Sequence, residues 1–378
     1  MSPSLDLAET TPGQAVLNRM PWERSLTADP ELLLSREWLV TNGLGGYASG
    51  SISGVCTRRY HGVLIAALAA PLGRTVMLNH IAEEFRLPDG GIVSLGADER
   101  PGGRLVVHST ALLDEFRLEM GLPVWQYAIG EFVVEKRILL LHRQNTVHVR
   151  YRLLSGPGRL RLRIRPSVHF RPHEAAVSIH HDQLYTVTAV REGFEIRCPD
   201  IPPLRVVFRS KASAMVLDGG HWRELFYRME HRRGYDAQGN VWSPGYFRTD
   251  LTVGGEATLV ASTEPWDTVL AIGPDEAFAA EAERRSRLLA QAQPLADDAV
   301  AAELVLAADQ FVITPATRVA DAARSHAAGD EVRSVIAGYH WFTDWGRDTM
   351  ISLEGLTLDT GRHAEAGYIL RSFAHHIR

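Results

Sequence analysis

The chain has 378 residues, a formal net charge of −5, and 45% hydrophobic, 8% aromatic and 22% charged residues. That balance belongs to an ordinary globular protein long enough for two domains, and it excludes a fibrous or disordered chain. The acidic excess argues against a broad nucleic-acid surface, which would need net positive charge. Lysine occurs only at Lys136 and Lys211, so arginine carries nearly all positive charge, which we read as a compositional bias.

From the start, residues 1–14 are polar and acidic and lack the basic and apolar regions of a signal peptide. The longest apolar run, 63–70, ends at Pro71 and is too short to span a bilayer. A cytoplasmic protein without membrane contact is expected. Cys56 and Cys198 fall in neither a CxxC nor a metal-ligand spacing, so no disulfide framework, zinc site or other metal is expected.

Up to about Ser262 the pattern is that of strands. Leu160, Leu162 and Ile164 alternate with Arg161, Arg163 and Arg165, which places apolar and charged side chains on opposite faces. Similar runs lie at 132–141, 146–154, 184–190, 204–209 and 257–261. Turn residues separate them at Pro88-Asp89-Gly90-Gly91, Ser155-Gly156-Pro157-Gly158, Asp218-Gly219-Gly220 and Gly254-Gly255. Many short strands without intervening helices predict a large antiparallel β-sandwich.

Beyond Ser262 the period becomes helical. Residues 275–292 are rich in Ala, Glu, Arg and Leu, and residues 297–312 place Val300, Leu304, Ala308, Phe311 and Val312 on one stripe, with Pro294 between the two segments. Residues 314–338 are polar and predict a loop. Helices follow at about 349–358 and 363–378, divided by Asp359-Thr360-Gly361. One or two helical hairpins cannot close a core, so the sequence predicts the front of a longer protein. The expected divisions are a polar tail (1–21), a sandwich domain (22–262), a helical linker (263–296) and the start of a helical domain (297–378).

The most informative stretch is Trp341-Phe342-Thr343-Asp344-Trp345-Gly346-Arg347-Asp348. Sugars offer C–H faces that stack on indole rings and hydroxyls that bond to charged side chains, so two tryptophans with Asp344, Arg347 and Asp348 suit a sugar subsite. The same residues also suit a helix start, since Asp344 or Asp348 can serve as an N-cap. Composition alone does not separate the two readings. Elsewhere, the acidic pairs Glu83-Glu84, Asp98-Glu99 and Asp330-Glu331 read as solvated surface.

Residues 339–352 resemble the first sugar-binding loop of the helical domain in glycogen debranching enzymes, the amylo-α-1,6-glucosidases, and are similar to the Trp-x-Arg-Asp loop of glucoamylases. A second motif points the same way. Thr41-Asn42-Gly43-Leu44-Gly45-Gly46-Tyr47-Ala48-Ser49-Gly50, then Thr57-Arg58-Arg59-Tyr60-His61-Gly62, resembles the opening of the amino-terminal domain of bacterial and archaeal debranching enzymes. The resemblance implies a β-sandwich in front of an α/α toroid of the six-hairpin glycosidase type, here truncated. It implies that Arg347 and Asp348 bind the terminal glucose, with Trp341 and Trp345 as aromatic walls. It further implies an inverting hydrolase of glycogen, limit dextrin or a related α-glucan that needs no cofactor, its catalytic acid and base lying beyond Arg378. The alternatives are an exo-acting α-1,4-glucosidase of the glucoamylase kind and a non-catalytic carbohydrate-binding module. His61 reads either as a cleft residue or as part of a hydrogen-bonded turn.

Overall fold

A computed structural model describes residues 17–21, 30–100, 102, 104–107, 110–179 and 185–375. Up to Ser262 it is rich in sheet. Nine antiparallel strands run in the spatial order Leu17–Pro21, Leu113–Glu119, Leu122–Ile129, Phe132–Leu140, Thr146–Ser155, Glu256–Ser262, Ile201–Arg209, Gly193–Cys198, Thr186–Val190. A five-stranded sheet follows the order Ser213–Phe226, Gln238–Leu251, Leu160–Ser167, His80–Arg86, Ile92–Ser94. A second one follows Arg171–Pro172, Arg74–Leu78, Gly62–Ala67, Tyr47–Ser51, Glu37–Thr41. The three sheets share one apolar core, to which they contribute among others Val149, Leu162 and Leu64, all fully buried.

The alternation at 160–165 appears as expected. Leu160, Leu162 and Ile164 are buried, while Arg161 and Arg163 reach outward to Asp250 and Glu84 at 2.8 and 3.0 Å. Several expectations fail in instructive ways. Leu17–Pro21, assigned to the tail, is an edge strand paired with Leu113–Glu119. Two short helices interrupt the strands, α1 (Pro30–Ser35) and α2 (Arg228–Arg232). Asp218-Gly219-Gly220 does not separate two strands. It lies within the single strand Ser213–Phe226, where the register shifts between Leu217 and His221 and both glycines take positive φ, so the glycines permit a bulge instead of a turn. The acidic pairs are only partly solvated. Glu83 and Glu99 are buried against Lys136 and Arg228 at 2.5 and 2.8 Å, because the fold brings a lysine of another sheet and the first residue of α2 to neutralise them. Leu184 and residues 376–378 lie outside the described residues.

Beyond Ser262 come α3 (Trp266–Val269), α4 (Pro274–Gln291), α5 (Ala299–Asp309), α6 (Val319–Ala327), α7 (Gly346–Leu353) and α8 (His363–Ala374). Among the described residues no helix is long and apolar enough to cross a membrane. α6 falls inside the expected loop; the helix formers Ala320, Ala322 and Ala323 outweigh the polar character of the segment. α5 begins as expected, with Asp298 capping it through the Ala301 amide at 2.9 Å. Its buried residues are Ala302, Val305, Leu306, Ala308 and Asp309, so of the expected stripe Ala308 is buried whereas Val300 and Leu304 are exposed. The helix is apolar on nearly every side, so periodicity could not select the face.

α4 ties the helices to the sheets. Phe278 lies 4.2 Å beneath the Arg150 guanidinium, Asp275 pairs with Arg150 at 2.8 Å, and Arg285 donates to the Met120 carbonyl at 2.7 Å. A buried ion network then links α4, α5 and the start of α8. Asp309 pairs with Arg284 and Arg362, each at 2.8 Å, and Glu281 pairs with Arg285 at 2.7 Å.

Candidate functional site

Residues 336–344 form a small closed loop. Ile336 bridges Asp344, and the Ala337 amide donates to Thr343 O at 2.9 Å. At its base, Asp344 pairs with Arg318 at 2.5 Å and accepts from Ser334 Oγ at 2.9 Å. Asp344 was expected beside the sugar, but its carboxylate is engaged in closing the loop.

α7 starts directly afterwards with Trp345 as its N-cap residue, and no side chain caps it. The capping reading of Asp344 and Asp348 therefore does not hold. Asp348 is the third residue of α7, and its Oδ2 is shielded from solvent without a hydrogen-bond partner among the described residues. Arg347 Nε lies 3.6 Å from that oxygen, beyond hydrogen-bond range, and the Arg347 side chain is 75% exposed. The two neighbours thus lean together at the helix start, where a regular helix would splay them by about 100°. Trp341, Phe342 and Trp345 are exposed alongside, with the Phe342 and Trp345 rings 5.9 Å apart, edge to face. The result is an open ledge of aromatic faces next to one cation and one incompletely satisfied carboxylate.

The ledge rests on the sheet-rich region. Arg74, at the start of a strand, donates to the backbone carbonyls of His340, at 3.0 Å, and Phe342. Ser49 Oγ bonds His340 Nε2 at 2.8 Å, and the Tyr60 ring stacks on His340 with centroids 6.0 Å apart. The Arg58 guanidinium sits 5.6 Å over the Trp341 ring. Behind it, Glu37 Oε1 accepts from Arg58 Nε at 2.7 Å and faces His61 Nε2 at 3.2 Å. Burial would push the Glu37 carboxyl up, but His61 and Arg58 outweigh it and hold it at about 2. Burial is the main cause that pushes the His340 imidazole down to about 3, helped by the nearby His61 and the Arg58 and Arg74 cations and opposed by Glu37.

Both sequence motifs therefore meet at one place, and His61 takes the hydrogen-bonded turn reading rather than the cleft one. His61 is fully buried, accepts from the Thr57 amide at 3.2 Å, and does not reach the surface. Arg58 and Tyr60 touch Trp341 directly. The glycine segment forms the seam with the helical region. Gly43, at φ 70°, accepts the Thr314 amide at 2.8 Å, and a side chain on Gly46 would meet Ile65 O at 2.9 Å. Ser49 falls within the glycine motif, though nothing there points to His340, and Glu37 and Arg74 carry no sequence signal of their own. Arg74 opens an ordinary apolar strand, and only the fold brings it to the loop. Two open clefts of about 880 and 930 Å³ lie elsewhere on the sheet-rich region. Neither contains a loop residue, so the chemistry of the side chains, not cavity size, marks the site.

The class defined by this arrangement is an antiparallel sheet assembly that presents an aromatic, arginine–aspartate loop at the head of a helical region. The chain belongs to the glycogen debranching enzyme family: residues 36–258 match the family model described as glycogen debranching enzyme N terminal, and residues 306–378 match amylo-alpha-1,6-glucosidase. Among solved structures it is similar to a bacterial glucoamylase complexed with acarbose, at 10% identity and a TM-score of 0.42, covering 91% of this chain and 48% of that one. It is also similar to a putative kojibiose phosphorylase from the human microbiome, at 10% identity and a TM-score of 0.28, covering 71% of this chain and 35% of that one. The chain thus spans about half the length of the first and a third of the second. No protein with a curated description matches it.

Proposed function

We propose that this chain is the front part of a glycoside hydrolase that removes the α-1,6-linked glucose stub from glycogen or a limit dextrin. The observation that carries the reading is the ledge itself. Trp341 and Trp345 are exposed indoles near Arg347 and a shielded Asp348 oxygen that has no hydrogen-bond partner among the described residues. In this reading the rings wall the terminal glucose, while Arg347 and Asp348 hold two of its hydroxyls with charge-assisted bonds. Asp344, spent on Arg318 and Ser334, sets the loop instead of gripping sugar.

The proposed architecture is a β-sandwich over 22–262, a helical linker over 263–296, and an α/α toroid that begins at 297. Exposed Ile351 and Leu370, on α7 and α8, fit helices that pack against further helices. Hydrolysis with inversion needs an acid and a base roughly 6.5–9.5 Å apart, and we place both beyond Arg378. Water and these two carboxylates suffice for the chemistry, and a cytoplasmic setting completes the proposal.

The test is glucose release by the full-length protein from a limit dextrin carrying α-1,6 stubs and from linear maltooligosaccharides. Release from the stubs is expected, with none from residues 1–378 alone. Release confined to linear chains replaces the debranching reading with an exo-α-1,4-glucosidase. Binding without release by the full-length protein makes it a binding module.

A further inference from the structure

We propose that Arg74, a residue of the sheet-rich region, is a positioning residue for the sugar-binding ledge; the inference rests on the function proposed for that ledge. The loop turns two carbonyls inward, those of His340 and Phe342, on either side of Trp341. Buried carbonyls need donors. Arg74 supplies both, from Nη1 to His340 O at 3.0 Å and from Nη2 to Phe342 O. A planar guanidinium holds two acceptors in fixed relative orientation, which an ammonium does not. Fixing the His340–Trp341 and Phe342–Thr343 peptides, which bracket Trp341 and Phe342, constrains the direction of the Trp341 ring.

Arg74 is itself rigidly held. It is 9% exposed, lies over the Tyr339 ring at 5.8 Å, and its carbonyl accepts the His173 amide at 3.0 Å. Among the described residues no carboxylate pairs with it. A buried cation bound only to carbonyls is an expensive way to gain stability, since an apolar side chain of similar volume often serves as well. Its use here is geometric. The other contacts beneath the loop, Ser49 with His340 and Tyr60 stacked on His340, orient a ring. Arg74 holds backbone flanking Trp341.

Arg74→Met and Arg74→Lys test this in the full-length protein labelled with 5-fluorotryptophan, the Trp341 and Trp345 fluorine resonances being assigned by Trp341→Phe and Trp345→Phe. In Arg74→Met the Trp341 resonance should move or broaden while that of the core residue Trp125 stays. The kcat/KM for glucose release should fall on the order of a hundredfold, the usual consequence of displacing positioning groups by about 1 Å. Arg74→Lys, with one point donor, should fall about tenfold. A merely stabilising role predicts a lower Tm with Trp341 and kcat/KM unchanged, and that result overturns the proposal. If Arg74→Met loses its fold, shown by a shifted Trp125 resonance, Arg74→Lys decides on the same two readings. Wild-type protein inactive on every α-glucan defeats the proposed function instead, and the Trp341 resonance still reports whether Arg74 fixes the loop.

Discussion

Replacing Asp348 with asparagine removes one negative charge and almost no volume, so its consequences can be apportioned. In the folded chain the carboxylate has two electrostatic neighbours. One is the start of α7, where it is the third residue; a charge in the first turn contributes about 0.3–1 kcal/mol. The other is Arg347, at 3.6 Å and 75% exposed, a pair that solvent screens to at most about 1 kcal/mol. Trp345 is the N-cap, so no capping bond is lost. The stability cost is therefore on the order of 1 kcal/mol, a few degrees in Tm. A glucose hydroxyl bound by this carboxylate in the transition state would lose about 1.5–3 kcal/mol, or roughly ten- to a hundredfold in kcat/KM. The assay pairs kcat/KM for glucose release by the full-length protein with Tm on the same preparation. Arg347→Lys should fall in the same direction, because a point charge cannot reproduce a planar fork. Near-wild-type kcat/KM in Asp348→Asn refutes the subsite. So does a loss of activity that only follows a loss of folded protein.

Two predictions concern stability. Asp309→Ala leaves the half-buried Arg284 and the buried Arg362 without the carboxylate they share, and it should cost about 3–5 kcal/mol in urea unfolding; a midpoint equal to wild type would mean that Glu281 and Glu365 compensate fully. Acid should destabilise the fold early. Burial is the chief cause that holds His142 and His148 at about 4 and His173 and His340 at about 3, each from 6.5. The unfolded chain then binds more protons below pH 6.5, so stability is lost as pH falls from 6.5 towards 3, by up to about 1.4 kcal/mol per unit per histidine. Glu37, lowered from 4.5 to about 2, adds a loss in that lower interval. Tm should drop steadily between pH 6.5 and 4, and a flat profile there would contradict neutral, buried imidazoles.

Where a stretch of sequence had one dominant cause, that cause determined the structure. At 160–165 the strict apolar–arginine alternation has one good burial solution, and the strand adopts it. At 275–292 helix formers alone predict α4 to within a residue at each end. Where causes competed, the outcome turned on tertiary context. α5 is apolar nearly all round, and packing chose Ala302 and Leu306 over Val300 and Leu304. Glycines at 219 and 220 serve a turn or a bulge equally well until a partner strand is present, and here the partner runs past them. Glu83 and Glu99 read as solvated because an acidic pair gives no sign of the Lys136 or Arg228 that the fold brings to it.

The ledge divides along the same line. Trp341, Trp345, Arg347 and Asp348 are close together in the chain, and their chemistry is legible as a string of letters. What holds them is not. Ser49 and Arg74 lie 291 and 266 residues from His340 along the chain, and neither residue type in its strand hints at a distant carbonyl or imidazole. The demand, however, follows from the loop itself. A segment that shows aromatic faces to solvent must turn part of its backbone inward, and inward carbonyls must be met by donors. Within one helical hairpin few such donors exist, because helix amides are already paired. The sheet-rich region supplies such a donor at the start of a strand, Arg74. On this argument the sheets are more than neighbours: they complete the hydrogen bonding of the loop, and the placement of Trp341 depends on both regions together.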